Sequence, residues 1–413
     1  MKRNTLSYPL QTGLLDVTIE KKHPAVENQE LFRVAERYNP KRSFLFISTV
    51  LGKHYPAKVS EMNQAFEQLA GLLPPDIKNY AVIGMAETAV ALGTGIYQSC
   101  ENRFGMGFFA TSTRHPLNSK LISNFSEPHS HATEHCLCEP SNARIGNHLA
   151  LVKDLILVDD ELTTGRTMSN LAQVLLKTRF QSVRRIFVLS LTDWSRGDLN
   201  INLSNGMGLN SIEPNDKELS DKEPNDIEVN FLSLIKGHYQ WTPNGNSFDL
   251  PSFIENSDHC ASRMASIQSP RNWIDSSDAL EQHPIAVTSF LNALKPKQKV
   301  LIVGTGEFMS KPLRVAQEAE NRGAEAYFCS TTRSPAMCGN DKGYFKNYGV
   351  TSRLVFSDIY LNHGANYLYN YDIEDWDHVL FYTDALVDNL SCIMLNDIKA
   401  NFIASEFDLQ ATA

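Results

Sequence analysis

Apolar residues along this chain gather in short unbroken runs that stop at glycine or at acid. Tyr80-Ala81-Val82-Ile83 stops at Gly84, Leu155-Ile156-Leu157-Val158 at Asp159, and Val300-Leu301-Ile302-Val303 at Gly304. Such runs suit parallel strands buried on both faces. The period then changes. Ser169-Asn170-Leu171-Ala172-Gln173-Val174-Leu175-Leu176-Lys177 carries its apolar residues at helical spacing, and Gly84-Met85-Ala86-Glu87-Thr88-Ala89 reads as a turn into another helix. Strand, turn and helix in repetition predict an α/β protein built on a parallel sheet.

Ligands of open α/β sheets bind beyond the carboxyl ends of the strands, so the residues after Val158 are the first candidates for chemistry. Asp159 and Asp160 can accept hydrogen bonds from vicinal ribose hydroxyls, directly or through Mg2+. Thr163, Thr164 and Thr167 offer hydroxyls, Gly165 lets backbone N–H groups approach a phosphate, and the following helix adds partial positive charge. The order describes a ribose-phosphate cradle. The alternative is an ordinary polar turn, against which stand two adjacent aspartates and three threonines between residues 159 and 167.

Composition narrows the class. With 42% hydrophobic and 21% charged residues, the 413-residue chain has material for two or three globular domains. Seven scattered cysteines, no apolar run near 18 residues and a polar N-terminus predict a reducing, cytoplasmic setting, without membrane span or disulfide framework. A net charge of -9 without basic runs argues against nonspecific nucleic-acid binding and leaves a small phosphorylated ligand compatible. Between residues 193 and 228 the chain turns polar and repeats Glu-Pro-Asn-Asp at 213–216 and 223–226, the mark of a flexible insertion. The expected division is a first domain over 1–199, an insertion over 200–228, and a second α/β domain over 229–413. That second domain would open with a hairpin, Val229-Asn230-Phe231-Leu232-Ser233-Leu234-Ile235 followed by a turn at Gly237-His238-Tyr239-Gln240-Trp241.

The second half repeats the grammar of the first. Glu307 follows Gly304 by three residues, as Glu87 follows Gly84; Thr332-Arg333-Ser334-Pro335 begins 28 residues after Gly304, and Thr113-Arg114-His115-Pro116 begins 29 after Gly84. Val379-Leu380-Phe381-Tyr382-Thr383-Asp384 then stands where the acid-ended strand stood, without a Thr-Thr-Gly turn. These correspondences predict a degenerate repeat, with Gly304, Glu307, Thr332, Arg333 and Ser334 as second-domain candidates for a step of its own; the alternative gives Arg333 to Glu307 as a structural ion pair. Gly304-Thr305-Gly306 also begins like a dinucleotide fingerprint, but Met309 occupies the place of its third glycine.

The segment from Asp159 to Thr167 resembles the phosphoribosyl-pyrophosphate loop of type I phosphoribosyltransferases, and Thr331-Thr332-Arg333-Ser334-Pro335 resembles the Thr-Arg-Ser-Pro (TRSP) signature of the two-domain kind found in tellurite-resistance gene clusters. The resemblance implies a parallel sheet with helices on both faces and a Mg2+-dependent transfer from phosphoribosyl pyrophosphate to a base-like acceptor. A non-catalytic regulator that binds the same ligand is the alternative. Asp159 and Asp160 would hold the ribose and metal, while Glu161, Leu162, Thr163, Thr164, Gly165, Arg166 and Thr167 wrap the 5-phosphate. Glu161 departs from the family, which usually has an aliphatic residue there; it would weaken phosphate affinity or reach toward metal. Gly84, Met85, Ala86, Glu87 and Thr88 match the pyrophosphate loop, and Lys53 matches the Gly-Lys turn of orotate-type members. Arg114, His129, His131 and His135 fall on the mobile lid. For the cluster His129-Ser130-His131-Ala132-Thr133-Glu134-His135-Cys136-Leu137-Cys138, a zinc site and a structural loop are the alternatives. The resemblance also implies a homodimer.

Overall fold

A computed structural model describes residues 4–39, 42–114, 120–126, 134–197, 199, 227–247, 271, 273–276, 283–339, 349–357, 360, 365–385 and 401–404. Among them two main sheets carry the fold. The larger has eight strands in the order Asn4–Leu10, Gly13–Lys22, Glu228–Pro243, Arg185–Asp193, Asp154–Leu162, Tyr80–Gly84, Phe108–Thr111 and Ile274–Asp275. The five from Glu228–Pro243 to Phe108–Thr111 run parallel, as the unbroken apolar runs predict, while the strands outside them are antiparallel. Leu155, Ile156, Leu157 and Val158 are fully buried at its centre.

Helix Ala89–Phe104 returns from the Tyr80–Gly84 strand, and Arg166–Thr178 from Asp154–Leu162. A third helix, Val59–Ala70, lies against Ala89–Phe104, whose Gly95 leaves room for the Phe66 ring. Facing this unit is a five-stranded sheet in the order Asn401–Ala404, His378–Thr383, Lys299–Gly304, Glu325–Ser330 and Ala57–Lys58. Its first four strands are parallel and its last is antiparallel. The two halves of the chain are therefore interleaved, because Ala57–Lys58, from the first, edges the sheet of the second.

The expected hairpin over residues 229–241 is a single 16-residue strand, Glu228–Pro243, inserted between Arg185–Asp193 and Gly13–Lys22. Gly237 marks an irregularity in that strand and not a turn: the register shifts between Lys236 and Gly237, and a Cβ there would stand 2.2 Å from the Thr18 carbonyl oxygen. Residues 228–243 thus lie in the first sheet, beyond the boundary expected at 229. The expected insertion lies outside the described residues, apart from residues 227 and 228. No helix among the described residues is long and apolar enough to cross a membrane.

Candidate functional site

The carboxyl ends of the parallel strands converge as the sequence predicts. Asp159 and Asp160 are half-buried at the end of their strand, and the Asp160 N–H donates to Asp159 Oδ1 at 3.0 Å. Gly165 follows with φ +66, a left-handed conformation that favours glycine, and leads into the helix Arg166–Thr178, whose first N–H, that of Arg166, donates to Thr164 Oγ1 at 3.4 Å. Thr163 is half-buried and Thr164 exposed around that turn. Backbone N–H groups at such a helix start have no partner within the helix and suit an anion.

Glu161 has a partner that the sequence left open. Its carboxylate takes a hydrogen bond from Arg42 Nη1 at 2.5 Å, and the Arg42 guanidinium lies 4.8 Å from the centre of the Phe44 ring. The extra negative charge on this turn is matched by Arg42, from the loop leading into the Phe44–Ser48 strand.

The second turn, Gly84-Met85-Ala86-Glu87-Thr88, is tied directly to the first. Met85 N–H donates to the Val158 carbonyl at 2.9 Å and Ala86 N–H to Ser112 Oγ at 2.9 Å; the Ala86–Glu87 peptide is cis. Helix Ala89–Phe104 sits close on the strand end because two glycines meet there: a Cβ on Gly93 would come within 2.9 Å of Gly84 Cα. Gly93→Ala is therefore expected to cost about 1–3 kcal/mol by overpacking, read as a lowered thermal midpoint; an unchanged midpoint would refute the close packing.

Lys53 is in a different situation from the substrate-facing one expected of it. It is 3% exposed and ion-paired with Glu87, and it donates to the Gly306 carbonyl at 2.7 Å and the Thr331 carbonyl at 2.8 Å. An ammonium group has three N–H donors, and all three are taken within the protein. Burial pushes the Glu87 carboxyl up, but Lys53, Arg333 and Arg114 outweigh it and bring it down to about 2. Next to Lys53, His54 stacks on Tyr369, and burial together with the Lys53 charge pushes its imidazole down to about 3.

Arg114 and His135 also sit deeper than a mobile lid would place them. His135 is fully buried; its Nε2 lies 3.3 Å from Arg114 Nε and its Nδ1 3.2 Å from Ser112 Oγ. These contacts fit a ring whose Nδ1–H donates to Ser112 Oγ and whose Nε2 accepts from Arg114. His129 and His131, two of the five side chains on which the zinc alternative rests, lie outside the described residues; His135, Cys136 and Cys138 lie within them.

The second-domain candidates meet this same edge. Glu307, 2% exposed, accepts from Thr113 Oγ1 at 2.5 Å and from Arg114 N–H at 2.7 Å, and pairs with Arg271 Nε at 3.4 Å. Its buried cation is thus Arg271, not the Arg333 of the structural alternative. Arg271 also pairs with Asp384, which accepts from the Tyr360 hydroxyl at 2.5 Å, and Tyr360 contacts Thr305. Gly304 ends the strand that leads into this cluster; Thr332 and Ser334 are used in holding their own loop, Thr332 Oγ1 accepting from Ser334 N–H at 3.1 Å. Arg271 and Arg42 escaped sequence reading, since neither lies in a recognisable motif.

Residues 31–210 match the family described as phosphoribosyl transferase, and residues 273–398 match the TRSP domain C-terminal to it. No curated protein matches the chain. Among solved structures, adenine phosphoribosyltransferase from Rhodothermus marinus is similar at 14% identity, covering 51% of this chain and 97% of its own, with a TM-score of 0.30. The Leishmania tarentolae adenine enzyme gives 12% identity, 51% and 87% coverage and a TM-score of 0.32. Mycobacterium tuberculosis orotate phosphoribosyltransferase gives 12%, 42% and 85%, with a TM-score of 0.25. Likeness at these scores carries no argument about substrate. Residues 31–210 belong to the phosphoribosyl transferase family, and residues 273–398 form the TRSP domain that follows it.

Proposed function

We propose that the first domain transfers a phosphoribosyl group from phosphoribosyl pyrophosphate to a nitrogenous base or base-like acceptor. The observation that carries this reading is the hydrogen bond from Met85 N–H to the Val158 carbonyl, which sets the residue 84–88 turn against the strand end bearing Asp159 and Asp160. A ligand with a phosphate on the turn at Gly165 and ribose hydroxyls on the acids would have its pyrophosphate directed at residues 84–88. In the reaction a nitrogen of the acceptor bonds to C1 of the ribose as the bond from C1 to the pyrophosphate oxygen breaks. Pyrophosphate leaves with the electron pair, and the acceptor nitrogen loses its proton to solvent.

The two carboxylates are hard oxygen donors at a half-buried strand end, a set that fits Mg2+. When bound, the ion would neutralise part of the charge on ribose-linked pyrophosphate. The chain's own contribution is orientation by Asp159 and Asp160, phosphate binding by residues 163–167, and exclusion of water. The second sheet's own strand, turn and helix, Lys299–Gly304 into Ser310–Asn321, support the reading of the second domain as a degenerate repeat.

Calorimetric titration of phosphoribosyl pyrophosphate with Mg2+ into wild type and the Asp159→Asn and Asp160→Asn variants tests the assignment. Binding is expected in the wild type and lost or weakened at least about tenfold in either variant, and turnover with a competent acceptor should fall at least about tenfold, or about 1.4 kcal/mol of barrier. Unchanged affinity in folded variants would remove the acid pair from the site. Wild-type binding with no pyrophosphate release from any acceptor would instead favour a regulator that senses phosphoribosyl pyrophosphate.

A further inference from the structure

The turn at residues 84–88 is gripped on both flanks by loops of the second domain. On one flank Lys53, ion-paired to Glu87, donates to the Gly306 and Thr331 carbonyls, and Ser330 N–H donates to the Gly52 carbonyl at 2.6 Å. On the other, Glu307 holds Thr113 and the Arg114 backbone. The pyrophosphate end of the proposed site therefore has the second domain as a wall.

A pyrophosphate group needs cations, and most of those nearby are committed. Lys53 has its three donors engaged, and Arg271 is 2% exposed between Glu307 and Asp384. Arg114 has its backbone N–H on Glu307 and its Nε at His135. Arg333 differs from all three. It stands two residues beyond Thr331, whose carbonyl takes the Lys53 ammonium, and it is half-buried, with no hydrogen bond or ion pair to any described residue. Its charge reaches Glu87 and Lys53.

The backbone around Arg333 is clamped on both sides. Thr332 exchanges backbone hydrogen bonds with Tyr367 at 3.0 and 2.8 Å; the Tyr369 hydroxyl donates to the Ser334 carbonyl at 2.7 Å and accepts from Ala336 N–H at 2.8 Å. A guanidinium on such a fixed stem loses little freedom on binding and presents paired N–H donors that match phosphate oxygens.

We propose that Arg333 binds the pyrophosphate moiety of phosphoribosyl pyrophosphate, so that the transferase site is built jointly by the two domains. The proposal rests on the reading of the first domain given above. It gives the second domain's Thr-Arg-Ser-Pro string a role in the first domain's reaction, where its sequence pointed to a step of its own.

The test is titration of inorganic pyrophosphate, ribose 5-phosphate and phosphoribosyl pyrophosphate, each with Mg2+, into the full-length wild type, Arg333→Gln and Arg333→Lys, with thermal midpoints measured alongside. Arg333→Gln is expected to weaken pyrophosphate and phosphoribosyl pyrophosphate about tenfold or more, the scale of one charge-assisted contact. Ribose 5-phosphate and the thermal midpoint should be unchanged, and Arg333→Lys should recover part of the loss. Unchanged pyrophosphate affinity in Arg333→Gln, or an equal loss of ribose 5-phosphate, would overturn the role of Arg333 while leaving the first-domain assignment standing. A wild type that binds none of the three would overturn both.

Discussion

Lys53→Met is expected to lower the unfolding free energy by about 3–5 kcal/mol, the range for removing one member of a buried ion pair. Lys53 is 3% exposed, and the side chain of its partner Glu87 is 9% exposed. Without the ammonium, the Glu87 carboxylate is left in a dry interface, and the Gly306 and Thr331 carbonyls lose a donor. Lys53→Met/Glu87→Met should be more stable than Lys53→Met alone, because the second change removes the stranded charge. Denaturant midpoints of the wild type, both single variants and the double variant check this. A double variant as unstable as the sum of the singles would show that the pair is uncoupled.

The same pair predicts a pH dependence. In the folded chain the Glu87 carboxyl is brought down to about 2 from its ordinary 4.5, since Lys53, Arg333 and Arg114 outweigh burial. A carboxyl depressed on folding stabilises the fold above its unfolded value, and that contribution disappears as pH falls through the folded value. Wild-type stability should therefore decline between about 4.5 and about 2 from this group, and the Glu87→Met variant should lack that part of the decline.

What the sequence disclosed and what it hid divide along contact distance. Leu155, Ile156, Leu157 and Val158 announced a central parallel strand because burial on both faces leaves no polar position to interrupt the run. The position of the acid pair and the Thr-Thr-Gly turn was legible because it is local, fixed by the strand that carries the acids and the helix that follows. Gly237 was misread because a glycine inside a strand and a glycine in a turn look alike until the neighbouring strand is known. Arg42 and Glu161 are 119 residues apart, Arg271 and Asp384 are 113 apart, and Lys53 and Gly306 are 253 apart. Periodicity carries no information at those separations. The placement of Lys53 shows the consequence: its Gly-Lys turn pointed toward substrate, while the fold places carbonyls from a distant loop around the ammonium.

Glu307→Ala is expected to be the most damaging change in the second domain, with a loss of about 3–5 kcal/mol. Glu307 gathers two donors and a cation from two parts of the chain: the Thr113 hydroxyl and the adjacent Arg114 backbone N–H, and the Arg271 guanidinium as an ion pair. Removing the carboxylate leaves Arg271, itself 2% exposed, with Asp384 as its remaining ion-pair partner among the described residues, and takes the acceptor from the Thr113 hydroxyl and the Arg114 N–H. Glu307→Gln keeps the shape, and its amide oxygen still accepts, but its NH2 group must face one of the donors; its cost should fall between wild type and alanine. The effect should extend beyond stability, because Glu307 reaches the first domain at Arg114. Hydrogen exchange at the Arg114 amide is expected to speed up in both variants, more in alanine, while the amide of Met85, bonded to Val158, keeps its protection. An alanine variant with wild-type stability and unchanged exchange at Arg114 would mean that the two domains are held together without Glu307.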